Sequence, residues 1–364
     1  MRISKKLLFI VVPVLLLLGA GTIAYAAGAV SFTDIAGHWA EASIVKEAER
    51  GVVQGHADGT FGPDEFVTRA QVVTFLDRFN TGITCTECHN SGTELTGKAT
   101  AWAASKHGTG TAYLRAASKD CAGCHSGGSF SAMIAAGQNP TQVTAGDPNP
   151  TRQDCRACHQ IHETGTSADW ALETTAPVKL YVSGTTFNGG AGNLCVNCHQ
   201  PRTAFPAAVD GMVSVDSTHW GPHHGPQSAM LLGLGGADLT GNPMFHYTAV
   251  NDTCVTCHMG KNTSHTFQPN IATCSSTCHP GATSFDIDGT QTKVQAKLDQ
   301  LQASLTAKGL LSASGSPVVG KYPEAQAAAL WNWIYVSKED KSKGVHNPAY
   351  TNALLDAAIA AIGS

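Results

Sequence analysis

Apolar positions recur with a helical period only near the two ends of this chain, and the long middle has no period at all. Leu7 to Leu18 is an apolar run broken only by Pro13; Arg2, Lys5 and Lys6 precede it and Ala24-Tyr25-Ala26 follows. That order predicts a secretory signal peptide over residues 1–26, with an uncleaved membrane anchor as the alternative. Ile44, Val45 and Ala48 mark one face of a helix from about Ala40 to Arg50, and Val72, Val73, Leu76 and Phe79 mark another that Thr68 would cap. Toward the other end, Val294, Leu298, Leu301 and Leu305 share a face of a helix over Thr290–Lys308. Pro323 opens a further helix through Trp331, Trp333 and Tyr335, and Pro348 opens the last one, ending near Ile362. The expected class is mostly α with extensive loops, and few strand signals appear.

The unpatterned middle holds every cysteine, and each sits in a pair that ends in Cys-His. The pairs are Cys85/Cys88-His89, Cys121/Cys124-His125, Cys155/Cys158-His159, Cys195/Cys198-His199, Cys254/Cys257-His258 and the one-residue-longer Cys274/Cys278-His279. Cys-x-x-Cys-His is the attachment pattern of c-type haem. Two thiols add to the porphyrin vinyl groups, and the adjacent imidazole ligates the iron. Zinc ribbons need no histidine after the pair, and disulfides leave the following residue free. With histidine at 16 of 364 residues, its appearance after all six pairs by chance is on the order of 10⁻⁸. Six haems c are expected, the sixth on the variant spacer. Successive motif histidines lie 36, 34, 40, 59 and 21 residues apart, so no fixed repeat underlies them.

Composition changes the picture in one way. Gly is 38 residues and charged residues are only 14%. Side chains alone would pack a thin core, and large apolar porphyrin plates would replace much of it. The formal net charge of −4 suggests no nucleic-acid partner.

Ser31–Phe79 resembles one S-layer homology domain. The resemblance implies anchoring to cell-wall polysaccharide through Trp39 and through Thr68-Arg69-Ala70-Gln71, with Arg69 as a bidentate donor to an anionic sugar substituent. Gln71 stands where the family usually has Glu, and one copy stands where three are common. His38 and His56 read as structural. The expected division is a signal peptide (1–26), the S-layer homology domain (31–79) and a hexahaem domain (82–364) with a helical tail (290–364). The tail resembles the C-terminal helices of the pentahaem nitrite reductase and octahaem cytochrome superfamily. There a Val-His-Asn-Pro-x-Tyr segment, here Val345 to Tyr350, delivers a distal haem histidine.

Eight histidines remain as second axial ligands: His107, His162, His219, His223, His224, His246, His265 and His346. The six expected to ligate are His107, His162, His224, His246, His265 and His346, with His223 or His219 as alternates to His224 and His246. Two imidazoles saturate an iron and favour electron transfer, whereas an open position permits catalysis. The expectation is therefore a wall-attached cytochrome passing electrons to extracellular acceptors such as metal oxides, or to partner cytochromes. A reductase of nitrite, hydroxylamine or a sulfur oxyanion is one alternative. A subunit of a cytochrome filament, hence a homo-oligomer, is the other.

Overall fold

The structure, a computed structural model, describes residues 31–49, 52–82, 94–164, 166–260 and 264–363. The expected signal peptide (1–26) and the first motif (Cys85, Cys88 and His89) lie outside the described residues. Two units emerge, divided after Thr84.

The first unit is built on two helices, α1 (Glu41–Glu49) and α2 (Arg69–Gly82). Thr68 caps α2 reciprocally: Gln71 N–H donates to Thr68 Oγ1 at 3.2 Å and Thr68 N–H to Gln71 Oε1 at 2.8 Å. Such a capping box works with Gln as well as with Glu. The loop between the helices is held by Asp34, whose carboxylate accepts from the backbone of Phe61 and Gly62, both at 2.7 Å. Ile35, Ile44 and Val52 form the small core. The apolar face of α2 does not pack as the periodicity suggests. Val72, Val73 and Leu76 are exposed, as are Phe66 and Trp39. A unit this short has too little chain to cover a second apolar face.

The second unit begins with short helical turns and loops and ends in a helical buttress. α3 (Thr290–Ala307), α4 (Glu324–Ile334) and α5 (Pro348–Gly363) enclose the largest apolar cluster. Val294, Leu298, Leu301 and Leu305 are the buried face of α3, as its period predicts. The buried aromatics each place a polar atom on a carbonyl, as large amphipathic rings must. Trp331 and Trp333 donate from Nε1 to Gly235 and Leu298 at 3.0 and 3.1 Å, and Tyr335 and Tyr350 donate from their hydroxyls to Leu234 and Leu239 at 2.7 and 2.8 Å. Asn347 caps α5, accepting from Tyr350 N–H at 3.1 Å. The polar stretch after Tyr335 is not a simple turn. The chain continues from α4 as a π-helical segment, Tyr335–Asp340. Two antiparallel ribbons complete the unit: β1 (Val178–Lys179) with β2 (Thr186–Phe187), and β3 (Met212–Val215) with β4 (Gly320–Pro323). Among the described residues no helix is long and apolar enough to cross a membrane.

The buttress should dominate the stability of the second unit. Leu301→Ala is expected to cost about 2–5 kcal/mol, and the exposed Gln302→Ala less than about 0.5 kcal/mol. Denaturant titration followed by far-ultraviolet circular dichroism checks both.

Candidate metal centres

Each described motif wraps into one helical turn, and the reason is local. A turn brings the first cysteine, the second cysteine and the histidine to one side of the chain. In the Cys155 and Cys195 motifs the turn closes by a bond from the histidine N–H to the first cysteine's carbonyl, at 2.9 and 2.8 Å. The motif with the longer spacer closes on the same pair of groups: His279 N–H reaches Cys274 O at 2.9 Å. Its extra residue is absorbed by widening the turn to an i to i+5 bond, the π-helical pattern.

Five motif histidines face a second histidine. His125 faces His223, with ring centres 6.2 Å apart; His159 faces His265 at 6.2 Å; His199 faces His107 at 6.3 Å; His258 faces His346 at 6.3 Å; and His279 faces His246 at 6.2 Å. The separation is constant while the interplanar angle runs from 28° to 88°. Rings in mutual contact do not behave so, because stacked rings approach more closely than edge-on ones. Rings turning about one shared axis through a metal do. A metal–nitrogen bond is about 2.0 Å. For ring bonds of roughly 1.35 Å, each nitrogen lies about 1.15 Å from its ring centre. Two such halves give about 6.3 Å between centres. The donor sets therefore fit an iron with two axial imidazoles. His223 adds a direct sign, since its buried Nε2 has no hydrogen-bond partner.

Second atoms of the rings are anchored, which fixes the tautomer and leaves Nε2 free to face its partner. His159 Nδ1 donates to Trp170 O at 2.7 Å, His258 Nδ1 to Phe267 O at 2.9 Å and His199 Nδ1 to Gln227 Oε1 at 3.1 Å. The rings of His125 and His246 donate to the backbone of Ala112 and Val345. His346 Nδ1 donates instead to the carboxylate of Asp340, at 2.6 Å. Burial pushes His107 down to about 4, and burial with the nearby Arg202 does the same for His223. Burial also lowers His125, His199, His246 and His258. These imidazoles stay neutral, as metal ligands must. For His346 burial acts in the same sense, but Asp340 outweighs it and raises the ring.

The motifs also touch one another. The thiols of Cys124 and Cys198 lie within hydrogen-bonding reach, as do those of Cys195 and Cys254. Cys158 lies close enough to act on the charge of Cys195 and Cys198, and Cys274 on that of Cys257. Burial pushes Cys158 up to about 12 and Cys257 to about 11. Neither is poised as the thiolate a redox dithiol requires. Cys254 is lowered because the Cys195 thiol donates to it. Among the described residues no group of three or more His, Cys, Asp or Glu could hold a bare metal ion.

Of the expected second ligands, His107, His246, His265 and His346 each stand opposite a motif histidine. His224 does not. Its Nδ1 pairs with Glu339 at 2.8 Å, which also raises its pKa, and its neighbour His223 takes the place across from His125. His223 has φ of +70°; its ring lies 5.1 Å from that of His224 and faces His125, while His224 Nδ1 turns to Glu339. His162, also at positive φ, is presented by a loop whose backbone and Thr164 hydroxyl donate to the buried Asp169. His219 is exposed, and its ring lies 3.4 Å from Thr218 Oγ1. In the first unit, Trp39 is 91% exposed and Arg69 stands exposed at the start of α2. His38 and His56 pair with Asp64 and Glu65 at 3.4 and 3.2 Å. Sequence reasoning missed Gln227, Glu339 and Asp340. Only Gln227 left a signal, as the last residue of the Gly-Pro-His-His-Gly-Pro-Gln run.

The His223 geometry has a direct test. In the haem-loaded protein, His223→Ala should convert one haem to high spin, whereas His224→Ala should leave the spin state as in the parent. Electron paramagnetic resonance reads both.

Residues 31–73 match the family model "S-layer homology domain". A stretch of 54 residues is 43% identical to the S-layer protein EA1 of Bacillus anthracis, covering 15% of this chain and 6% of that protein. The crystal structure of the outer cell wall cytochrome OcwA superposes with a TM-score of 0.46 at 24% identity, covering 72% of this chain and 49% of that one. The chain thus spans a small fraction of the first protein and about half of the second. Residues 31–73, with their reciprocal Thr68–Gln71 cap and exposed Trp39, are an S-layer homology domain.

Proposed function

We propose that this chain is an exported, cell-wall-attached c-type cytochrome that binds six haems and carries electrons at the cell surface. The observation that carries the reading is the set of five facing imidazole pairs at a constant 6.2–6.3 Å. The motif cysteines would attach the haems: Cys121 with Cys124, Cys155 with Cys158, Cys195 with Cys198, Cys254 with Cys257, and Cys274 with Cys278, besides Cys85 with Cys88. His223, His265, His107, His346 and His246 would hold the iron together with His125, His159, His199, His258 and His279 respectively. His162, expected from the sequence to ligate, is assigned to the motif ending in His89. Haem, when bound, supplies one-electron chemistry without a change in ligation.

The chain's own residues do the rest. Each facing pair would supply two imidazoles to one iron and so would keep small ligands off it. Abutting cysteines hold neighbouring motifs side by side. The Cys195–His199 motif touches or neighbours the motifs at Cys121, Cys155 and Cys254, and the Cys274 motif adjoins the one at Cys257. This makes the Cys195–His199 motif a junction in a branched relay. The S-layer homology domain supports attachment to wall polysaccharide through Trp39 and Arg69. Partner cytochromes and extracellular oxidants such as metal oxides are the proposed acceptors.

Three experiments test this. Intact mass of the secreted protein should show six haem additions, and Cys274→Ser with Cys278→Ser should remove one. Spectra should show only low-spin haem; a high-spin fraction with nitrite or hydroxylamine turnover would overturn the carrier reading in favour of a reductase. The full-length protein should sediment with purified wall polymer, and Arg69→Ala or Trp39→Ala should release it.

A further inference from the structure

The anchor on His346 differs in kind from the others. His159, His199, His258, His125 and His246 donate to neutral oxygens, either carbonyls or the Gln227 amide. His346 donates at 2.6 Å to Asp340, whose side chain is 0% exposed. Two more donors complete that carboxylate: Ser342 N–H at 3.2 Å and Ser342 Oγ at 2.5 Å. Among the described residues no Lys or Arg pairs with it. A carboxylate on the far nitrogen makes the near nitrogen a stronger donor to its metal. Stronger donation favours the ferric over the ferrous ion, and second-sphere hydrogen bonding is one of the protein's levers on haem potential.

The same π-helical segment also serves the neighbouring centre, but through neutral groups. Gln227 Nε2 donates to Glu339 O at 3.0 Å while its Oε1 receives His199 Nδ1. The two centres adjoin, since Cys195 and Cys254 are in hydrogen-bonding reach. Their anchors therefore differ by one buried negative charge over a short span.

We propose that Asp340 is a positioning residue that makes the Cys254–His258 centre more reducing than the adjoining Cys195–His199 centre, so that electrons at the former fall toward the junction. This rests on the reading of the chain as a haem carrier and on His346 as an axial ligand.

The test uses the full haem-loaded protein. His346→Ala should turn one haem high-spin and mark which midpoint in a spectroelectrochemical titration belongs to this centre. Asp340→Asn keeps a hydrogen-bond acceptor of the same size without the charge. It should raise that one midpoint toward or above that of its neighbour, leave the others in place, and shift one low-spin resonance. Glu339→Gln, one residue away and bonded to His224, should leave that midpoint unmoved. If His346→Ala yields no high-spin haem, the ligand assignment fails. If it does but Asp340→Asn moves no potential, or Glu339→Gln moves the same one as far, the assignment stands and this proposal is overturned.

Discussion

Imidazole facing imidazole across a fixed gap is the constraint on which the second unit depends. Each of the five pairs joins segments distant in sequence: His125 to His223, His159 to His265, His199 to His107, His258 to His346, His279 to His246. Between residues 94 and 290 the apolar clusters are small. Phe130, Met133, Ala157 and Leu194 form one of them, packed against Cys158 and Cys198. Such clusters cannot by themselves hold so many glycine-rich loops in place. Cross-links through a metal can, and their free energy is then part of the folding free energy. The short helical turns around the cysteines are sufficient because their only task is to aim three side chains.

The helical tail plays the opposite part. It is rich in large buried side chains whose polar atoms reach carbonyls, so its packing needs no cofactor. From that rigid body it extends Asp340 and Glu339 toward the histidines, along with His346 and the Val345 carbonyl. Gln227 and Asn347 tie the two regions together: Asn347 donates to the carbonyls of Met230 and Asn242 at 3.1 and 3.0 Å. The loops that carry the proposed ligands are thus referenced to a fixed frame.

What the sequence reveals and what it hides follow from the range of the interactions. A motif that works within one helical turn is legible, because spacing and residue type are the whole requirement. The buried face of α3 is legible for the same reason, and so is the Thr68 cap. The choice between His223 and His224 is not. The two are adjacent and chemically identical, and one positive φ at His223 turns its ring toward His125 while His224 turns to Glu339. The anchors are hidden further still, since Asp340 and Gln227 matter only once the π-helical segment and the short helix Gln227–Leu232 have met. The apolar stripe on α2 misleads in the other direction. Its period is real, but burial needs a partner surface, and Val72, Val73 and Leu76 are left on the outside.

The π-helical segment shows how a small irregularity serves the site. In an α-helix consecutive residues diverge by about 100° around the axis, so adjacent acidic residues rarely both face inward. Here Glu339 and Asp340 are 9% and 3% exposed. The widened turn lets both stay on the inner side, where each meets a different histidine and a backbone carbonyl of the pair receives Gln227. π-Helical turns recur at functional sites, and the same widening closes the Cys274–His279 motif around its extra residue. In both places the chain gains one residue of reach without losing the turn, and in both the residue gained sets where an imidazole points.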